Sequence, residues 1–178
     1  MRSVCVFLSS SPGRPRDVQA IEELARELVA RGITLVYGGA HRGLMGVLAD
    51  AALAAGGRVV GVIPQALVDY EVAHTGLSEL HVVETMHQRK AKMFALADAF
   101  VVAPGGFGTL EEAFEQLTGL QLGYHTKPMV FLDVDGFWSQ LAAFLDHAVD
   151  AQLLRPEVRS LFRIASSAPA ALDALAAW

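Results

Sequence analysis

Short apolar runs alternate with longer stretches of helical period from one end of the chain to the other. Runs at residues 4–8, 34–37, 59–63, 80–83, 99–103 and 129–132 read as strands, with a seventh near 162–165. They are continuously apolar rather than alternating, as strands covered on both faces are. Between them, residues 16–30 place Ile21, Leu24, Leu28 and Val29 on one helical stripe and stop at Arg31-Gly32, a basic last turn and a glycine cap. Residues 43–55, 86–97, 109–122 and 136–151 predict further helices, and an alanine-rich helix begins at Ala168. Alternation of this kind predicts an α/β fold, a Rossmann-like doubly wound parallel sheet of about seven strands with helices on both faces. No linker, repeat or low-complexity segment interrupts it, so residues 1–178 are expected to form a single domain.

Composition narrows the partners. With 53% hydrophobic and 19% charged residues the chain can bury a substantial core, and its formal charge of −5 argues against nucleic acid, which calls for clustered Lys and Arg. A small anion remains possible where a few basic residues converge. Cys5 is the only cysteine and lies within an apolar run, as a buried thiol in a reducing compartment would. The apolar start is too short for a signal peptide, and no run approaches the roughly 18 apolar residues of a membrane span. A cytoplasmic protein that binds no membrane is expected.

In doubly wound sheets ligands bind beyond the carboxyl ends of the strands. Four segments there carry the chemistry: Ser9-Ser10-Ser11-Pro12-Gly13, Gly38-Gly39-Ala40-His41-Arg42-Gly43, residues 64–76, and Pro104-Gly105-Gly106-Phe107-Gly108-Thr109. Glycines before a helix let backbone N–H groups approach a phosphate at the positive end of the helix dipole, or simply make a tight turn. Two glycine-rich loops suggest one anion site or more. Neither is a dinucleotide fingerprint, which reads G-x-G-x-x-G in the first turn, and no Gly-Lys-Ser/Thr of a P-loop occurs.

Glu111, Glu112 and Glu115 follow the second loop. Thr109-Leu110-Glu111-Glu112 fits a capping box, with Thr109 as the cap and Glu112 reaching back to it. Acids three and four apart on one helical face also repel, so one of the three is alternatively held for chemistry beside the phosphate-ready loop. At Met86-His87-Gln88-Arg89-Lys90 two cations open a helix and oppose its dipole. Either the turn is solvated, or an anion compensates and the Arg89 fork grips a phosphate or a carboxylate. The six histidines make no metal-binding pair at helical spacing and one cysteine cannot build a thiolate site, so no metal is expected. No G-x-S-x-G elbow is present, and the triple serine reads as a turn rather than a nucleophile.

Taken together, Met86-His87-Gln88-Arg89-Lys90 and Pro104-Gly105-Gly106-Phe107-Gly108-Thr109-Leu110-Glu111-Glu112, which fits P-G-G-x-G-T-x-x-E, resemble the LOG (LONELY GUY) family of cytokinin riboside 5′-monophosphate phosphoribohydrolases, long mislabelled as lysine decarboxylases. Val36-Tyr37-Gly38-Gly39, Gly43-Leu44-Met45-Gly46 and Glu71-Val72-Ala73-His74 support the resemblance, which runs over nearly the whole chain. It implies a nucleotide-binding homodimer with sites near the interface that splits a nucleoside 5′-monophosphate, AMP or an N6-substituted AMP, into base and ribose 5-phosphate. No cofactor is implied. Arg89 and Glu112 would be the catalytic pair. Gly106, Phe107, Gly108 and Thr109 would hold the phosphate, and Glu71, Lys90, Gly105, Glu115 and Thr118 would add substrate contacts.

The chain departs from the family pattern at Ser9 and Ala40, where glycine is usual, at His41 and Arg42, and at Gly119, where tryptophan is common. These changes bear on the base pocket and leave the catalytic pair intact. A non-catalytic nucleotide carrier on the same fold is the alternative, since fold alone does not fix function.

Overall fold

A computed structural model describes residues 1–68, 70 and 72–178. The elements run β1 (Ser3–Phe7), α1 (Pro15–Ala30), β2 (Thr34–Tyr37), α2 (Gly43–Ala54), β3 (Val59–Pro64), α3 (Gln65–Val68), β4 (Glu79–Val83) and α4 (Met86–Leu96). They continue with β5 (Ala99–Val102), α5 (Phe107–Gln121), β6 (Met129–Leu132), α6 (Ser139–Asp150), α7 (Pro156–Arg159), β7 (Arg163–Ala165) and α8 (Ala168–Ala176). The strands form one sheet in the order β4-β3-β2-β1-β5-β6-β7, and every pairing is parallel.

Strand pleating divides the apolar runs between two cores. Val4, Val6 and Leu8 pack with Ile21, Leu24 and Leu28 of α1, Leu44 and Leu48 of α2, and Leu172 and Leu175 of α8. Cys5 and Phe7 face the opposite layer, with Met93 of α4, Ala113 of α5 and Leu145 of α6. The continuous runs thus do bury both faces in the central strands. The edge strands β4 and β7 are the exceptions, with Val82 half exposed in β4 and Arg163 and Ile164 exposed in β7.

The start of helix α1 is capped by its own N3 carboxylate. Asp17 accepts the backbone N–H of Arg14 at 2.8 Å and two bonds from its guanidinium, at 2.9 and 2.8 Å. Among the described residues no helix is long and apolar enough to cross a membrane.

Chain order along the sheet reverses between β1 and β5, which puts a crevice beyond their carboxyl ends. The loops leaving the two strands are tied together there by the Ser9 N–H, which donates to the Pro104 carbonyl at 3.2 Å.

Candidate active site

A cavity of about 290 Å³ opens at this crevice. Its walls come from Leu8, Ser9, Ser10 and Ser11 after β1, from Gly106, Phe107, Gly108 and Thr109 after β5, and from Met86, Arg89, Glu111 and Glu112. Met45 and Leu67 complete the lining.

Helix α5 begins at Phe107 with Gly106 as its cap residue and no side-chain cap. This corrects the capping box expected at Thr109: the helix starts two residues earlier, so Thr109 and Glu112 both lie within it. Thr109 is buried, and its hydroxyl occupies the room a side chain at Gly105 would need, 2.0 Å from an added Cβ. At Gly106 and Gly108 an added Cβ would meet nothing. The first amides of a helix lack intrahelical acceptors, and here they border open space with no side chain above the two glycines. Phe107, between them, is 94% exposed.

The other glycine-rich loop, the second place the sequence offered for an anion, is built differently. Several of its polar groups are engaged within the protein. The His41 N–H donates to the Val72 carbonyl at 2.8 Å, the Leu44 N–H to the Ser11 carbonyl at 3.0 Å, and the Gly39 carbonyl accepts from the His74 N–H at 2.9 Å. A Cβ at Gly43 would lie 2.2 Å from the Ser10 carbonyl oxygen, so α2 starts directly against the serine turn. This loop is a joint between segments, while the loop before α5 is open to a ligand.

Arg89 and Glu112, set apart by 23 positions in sequence, are only 3% and 5% exposed and line the same cavity. Arg89 Nε donates to the Val62 carbonyl at 3.1 Å and Nη2 to the Gly38 carbonyl at 2.8 Å. Strand-end carbonyls are thus part of what compensates the basic turn at the start of α4, where Thr85 caps by accepting the Gln88 N–H at 3.1 Å. Below the pair lies Cys5. Burial first, and then the charge of Glu112, push its thiol well above the usual range, with Arg89 opposing.

The remaining expected contacts lie elsewhere. Lys90 is bound to Glu111 and stands 3.3 Å from Glu115, and the paired carboxylates raise its pKa. Lys90, Glu115 and Thr118 line grooves along α4 and α5, outside the cavity. Gly105 sits behind the loop against Thr109. Glu71 lies outside the described residues.

His41, Asp50 and His74 converge, although their spacing gave no signal, with one ligand atom of each within 4.8 Å of the others. The Gly76 N–H donates to His74 Nδ1 at 3.0 Å, which puts the ring proton on Nε2, 2.9 Å from Asp50. A metal-bound histidine instead donates from its second nitrogen. The trio is wired as a hydrogen-bonded pair beside a third ring.

Fold and site define a Rossmann-like α/β protein whose switch-point cavity joins an anion-ready helix start to a buried guanidinium and a buried carboxylate. Residues 45–175 match a family model described as possible lysine decarboxylase. A cytokinin riboside 5′-monophosphate phosphoribohydrolase of Arabidopsis thaliana is 45% identical over 175 residues, covering 98% of this chain and 82% of that protein. The LOG enzyme of the same description from Oryza sativa subsp. japonica is 46% identical over 173 residues, covering 97% and 70%. The chain belongs to this LOG family of phosphoribohydrolases. Among solved structures, a molybdenum cofactor binding protein from Rippkaea orientalis superposes with a TM-score of 0.75 at 20% identity, over 99% of this chain and 96% of that one. At that identity the likeness is one of fold.

Proposed function

We propose that the protein hydrolyses the N-glycosidic bond of nucleoside 5′-monophosphates, AMP and N6-substituted AMP, releasing free base and ribose 5-phosphate. The observation that carries this reading is the placement of Glu112, buried in the cavity on the same helix whose open N-terminus suits a phosphate. The phosphate binds the amides of Gly106, Phe107, Gly108 and Thr109, and the ribose lies along the first turns of α5. As the C1′–N bond breaks, its electrons leave with the base and positive charge builds on the sugar. The Glu112 carboxylate stabilises that charge and takes a proton from the water whose oxygen bonds to C1′; the departing base takes up one proton from solvent and Glu112 returns its own to solvent, so one water is consumed overall. Arg89 orients Glu112 or the substrate. Remote phosphate binding holds the sugar for attack.

Decarboxylation, which the family model's description names, finds no support in the site. Decarboxylases of amino acids commonly hold pyridoxal through a lysine. Lys90, Lys92 and Lys127, the lysines of the chain, all lie outside the cavity lining.

The same reading takes the chain to be a cytoplasmic homodimer. Leu122 and Tyr124 are 54% and 80% exposed at the end of α5, beside the groove of Lys90, Glu115 and Thr118. A partner packed over this surface would bring those residues to the edge of a site, with Glu71 as a further contact.

Chromatography of products from a panel of nucleoside monophosphates and the matching nucleosides tests the activity. Free adenine from AMP, little from adenosine, and near-complete loss in a folded Glu112→Ala variant are expected. If no monophosphate yields free base, or Glu112→Ala keeps full activity, the reading is wrong.

A further inference from the structure

Gly38 follows β2 directly, and its carbonyl holds Arg89 Nη2 at 2.8 Å. The residue also makes room for that group. A Cβ built on Gly38 would lie 2.0 Å from Nη2 and 3.1 Å from Cζ of Arg89, and 3.3 Å from the Met45 methyl. The guanidinium therefore fills the volume any side chain at position 38 would need.

Backbone conformation does not explain this glycine. The next residue, Gly39, has φ +78°, where other residues are strained, but Gly38 is outside the positive-φ region. The contact with Arg89 remains as the reason. On the other side the guanidinium is fixed by Val62, whose strand β3 pairs with β2. Two adjacent strand ends thus form a socket of carbonyls, with Gly38 as the wall that lacks a side chain.

We infer that Gly38 is a positioning residue for Arg89: the missing side chain and the carbonyl together set where the guanidinium sits in the cavity. The inference rests on the hydrolase reading for its catalytic consequence, though not for its geometry. An added methyl meets the far end of a flexible side chain, so Gly38→Ala folds and displaces Arg89.

The test compares wild type, Gly38→Ala, Arg89→Ala and the double variant. Gly38→Ala is expected to lower kcat for AMP about 100-fold, the scale of an ångström-level misplacement, with a smaller change in KM. In the Arg89→Ala background the same substitution is expected to change kcat less than about twofold, because the two act through one contact. The Arg89 Nε–H resonance, assigned by its loss in Arg89→Ala, is expected to shift in Gly38→Ala. Wild-type kcat in Gly38→Ala, or equal losses in both backgrounds, overturns the inference. Should Gly38→Ala fail to fold, a folded double variant supports it and an unfolded one overturns it. Should wild type release no base from any monophosphate, the hydrolase reading falls, and the resonance alone decides: a shift supports the socket and an unchanged resonance overturns it.

Discussion

The ring of His125 lies where a side chain at Gly119 would have to go, its Cδ2 and Nε2 each 2.9 Å from an added Cβ. The ring is held in place from both sides. Nδ1 accepts the Lys127 N–H at 3.2 Å and Nε2 bonds the Gln116 carbonyl at 3.1 Å, while Phe94 meets it edge-on at 5.1 Å. Burial depresses the imidazole pKa, with the charge of Lys127 acting the same way.

Gly119→Trp therefore overpacks this contact and is expected to lower stability by about 1–3 kcal/mol. In a His125→Ala background the same change is expected to be neutral or stabilising, because tryptophan favours a helix over glycine. Urea unfolding of the four proteins checks the sign. Equal penalties in both backgrounds would show that the ring is not the obstacle.

Gly108→Ala separates stability from activity. The added methyl meets nothing and removes a glycine from the first turn of α5, so stability is expected to rise by about 0.5–1 kcal/mol. The same methyl stands over the proposed phosphate amides, and a KM for AMP raised about tenfold corresponds to one weakened bond to a charged group. Melting and steady-state kinetics on one preparation test both. A KM unchanged at higher stability would move the phosphate away from this turn.

Asp17 links stability to acid. Its bonds from Arg14 lower its pKa against the opposing effect of burial. A carboxylate whose native pKa lies below the unfolded value, about 3.9, contributes fully above that value and loses its contribution as pH falls through the native pKa. Asp17→Asn is expected to cost about 2 kcal/mol at pH 7 and progressively less below pH ~4. Denaturant midpoints at several pH values measure this, and a penalty that persists undiminished in acid would point to packing instead.

Cys5 is fully buried, and its raised pKa disfavours the reactive thiolate. Alkylation at pH 8 is expected to proceed only as fast as the structure opens, and to become rapid in denaturant. Fast labelling of the folded protein would mean that the core around Cys5 breathes far more than its packing implies.

Much of the fold was legible because continuous apolar runs and helical stripes leave little choice of element. The edges of β2 and β6 coincide with the runs that predicted them. The four-residue helices α3 and α7 are too short to show a period, and went unread. At α5 a capping-box pattern competed with a bare glycine start, and the glycine start forms. The site was legible as residue types, an arginine, a glutamate and a glycine loop, but not as a socket. Arg89 is held by the carbonyls of Gly38 and Val62, and a carbonyl leaves no mark in a sequence. Met45 and Leu67 were missed as lining because their apolar side chains look the same in a core as in a cavity. Signals for them existed only in their neighbourhoods, the Gly43-Leu44-Met45-Gly46 segment and the residues after β3.

The early start of α5 has a further consequence. Glu112 lies six positions beyond Gly106 on one continuous helix, an axial rise of about 9 Å that its N-terminally leaning side chain shortens. A rigid rod joins the proposed phosphate end to the carboxylate, so under the proposed reading the helix would work as a length gauge. One phosphate followed by one pentose fits the interval, whereas a nucleoside diphosphate anchored by its terminal phosphate carries C1′ beyond the acid. Comparable base release from ADP and AMP would show that the gauge does not operate. If it does, the helix selects substrates by the number of phosphates they carry.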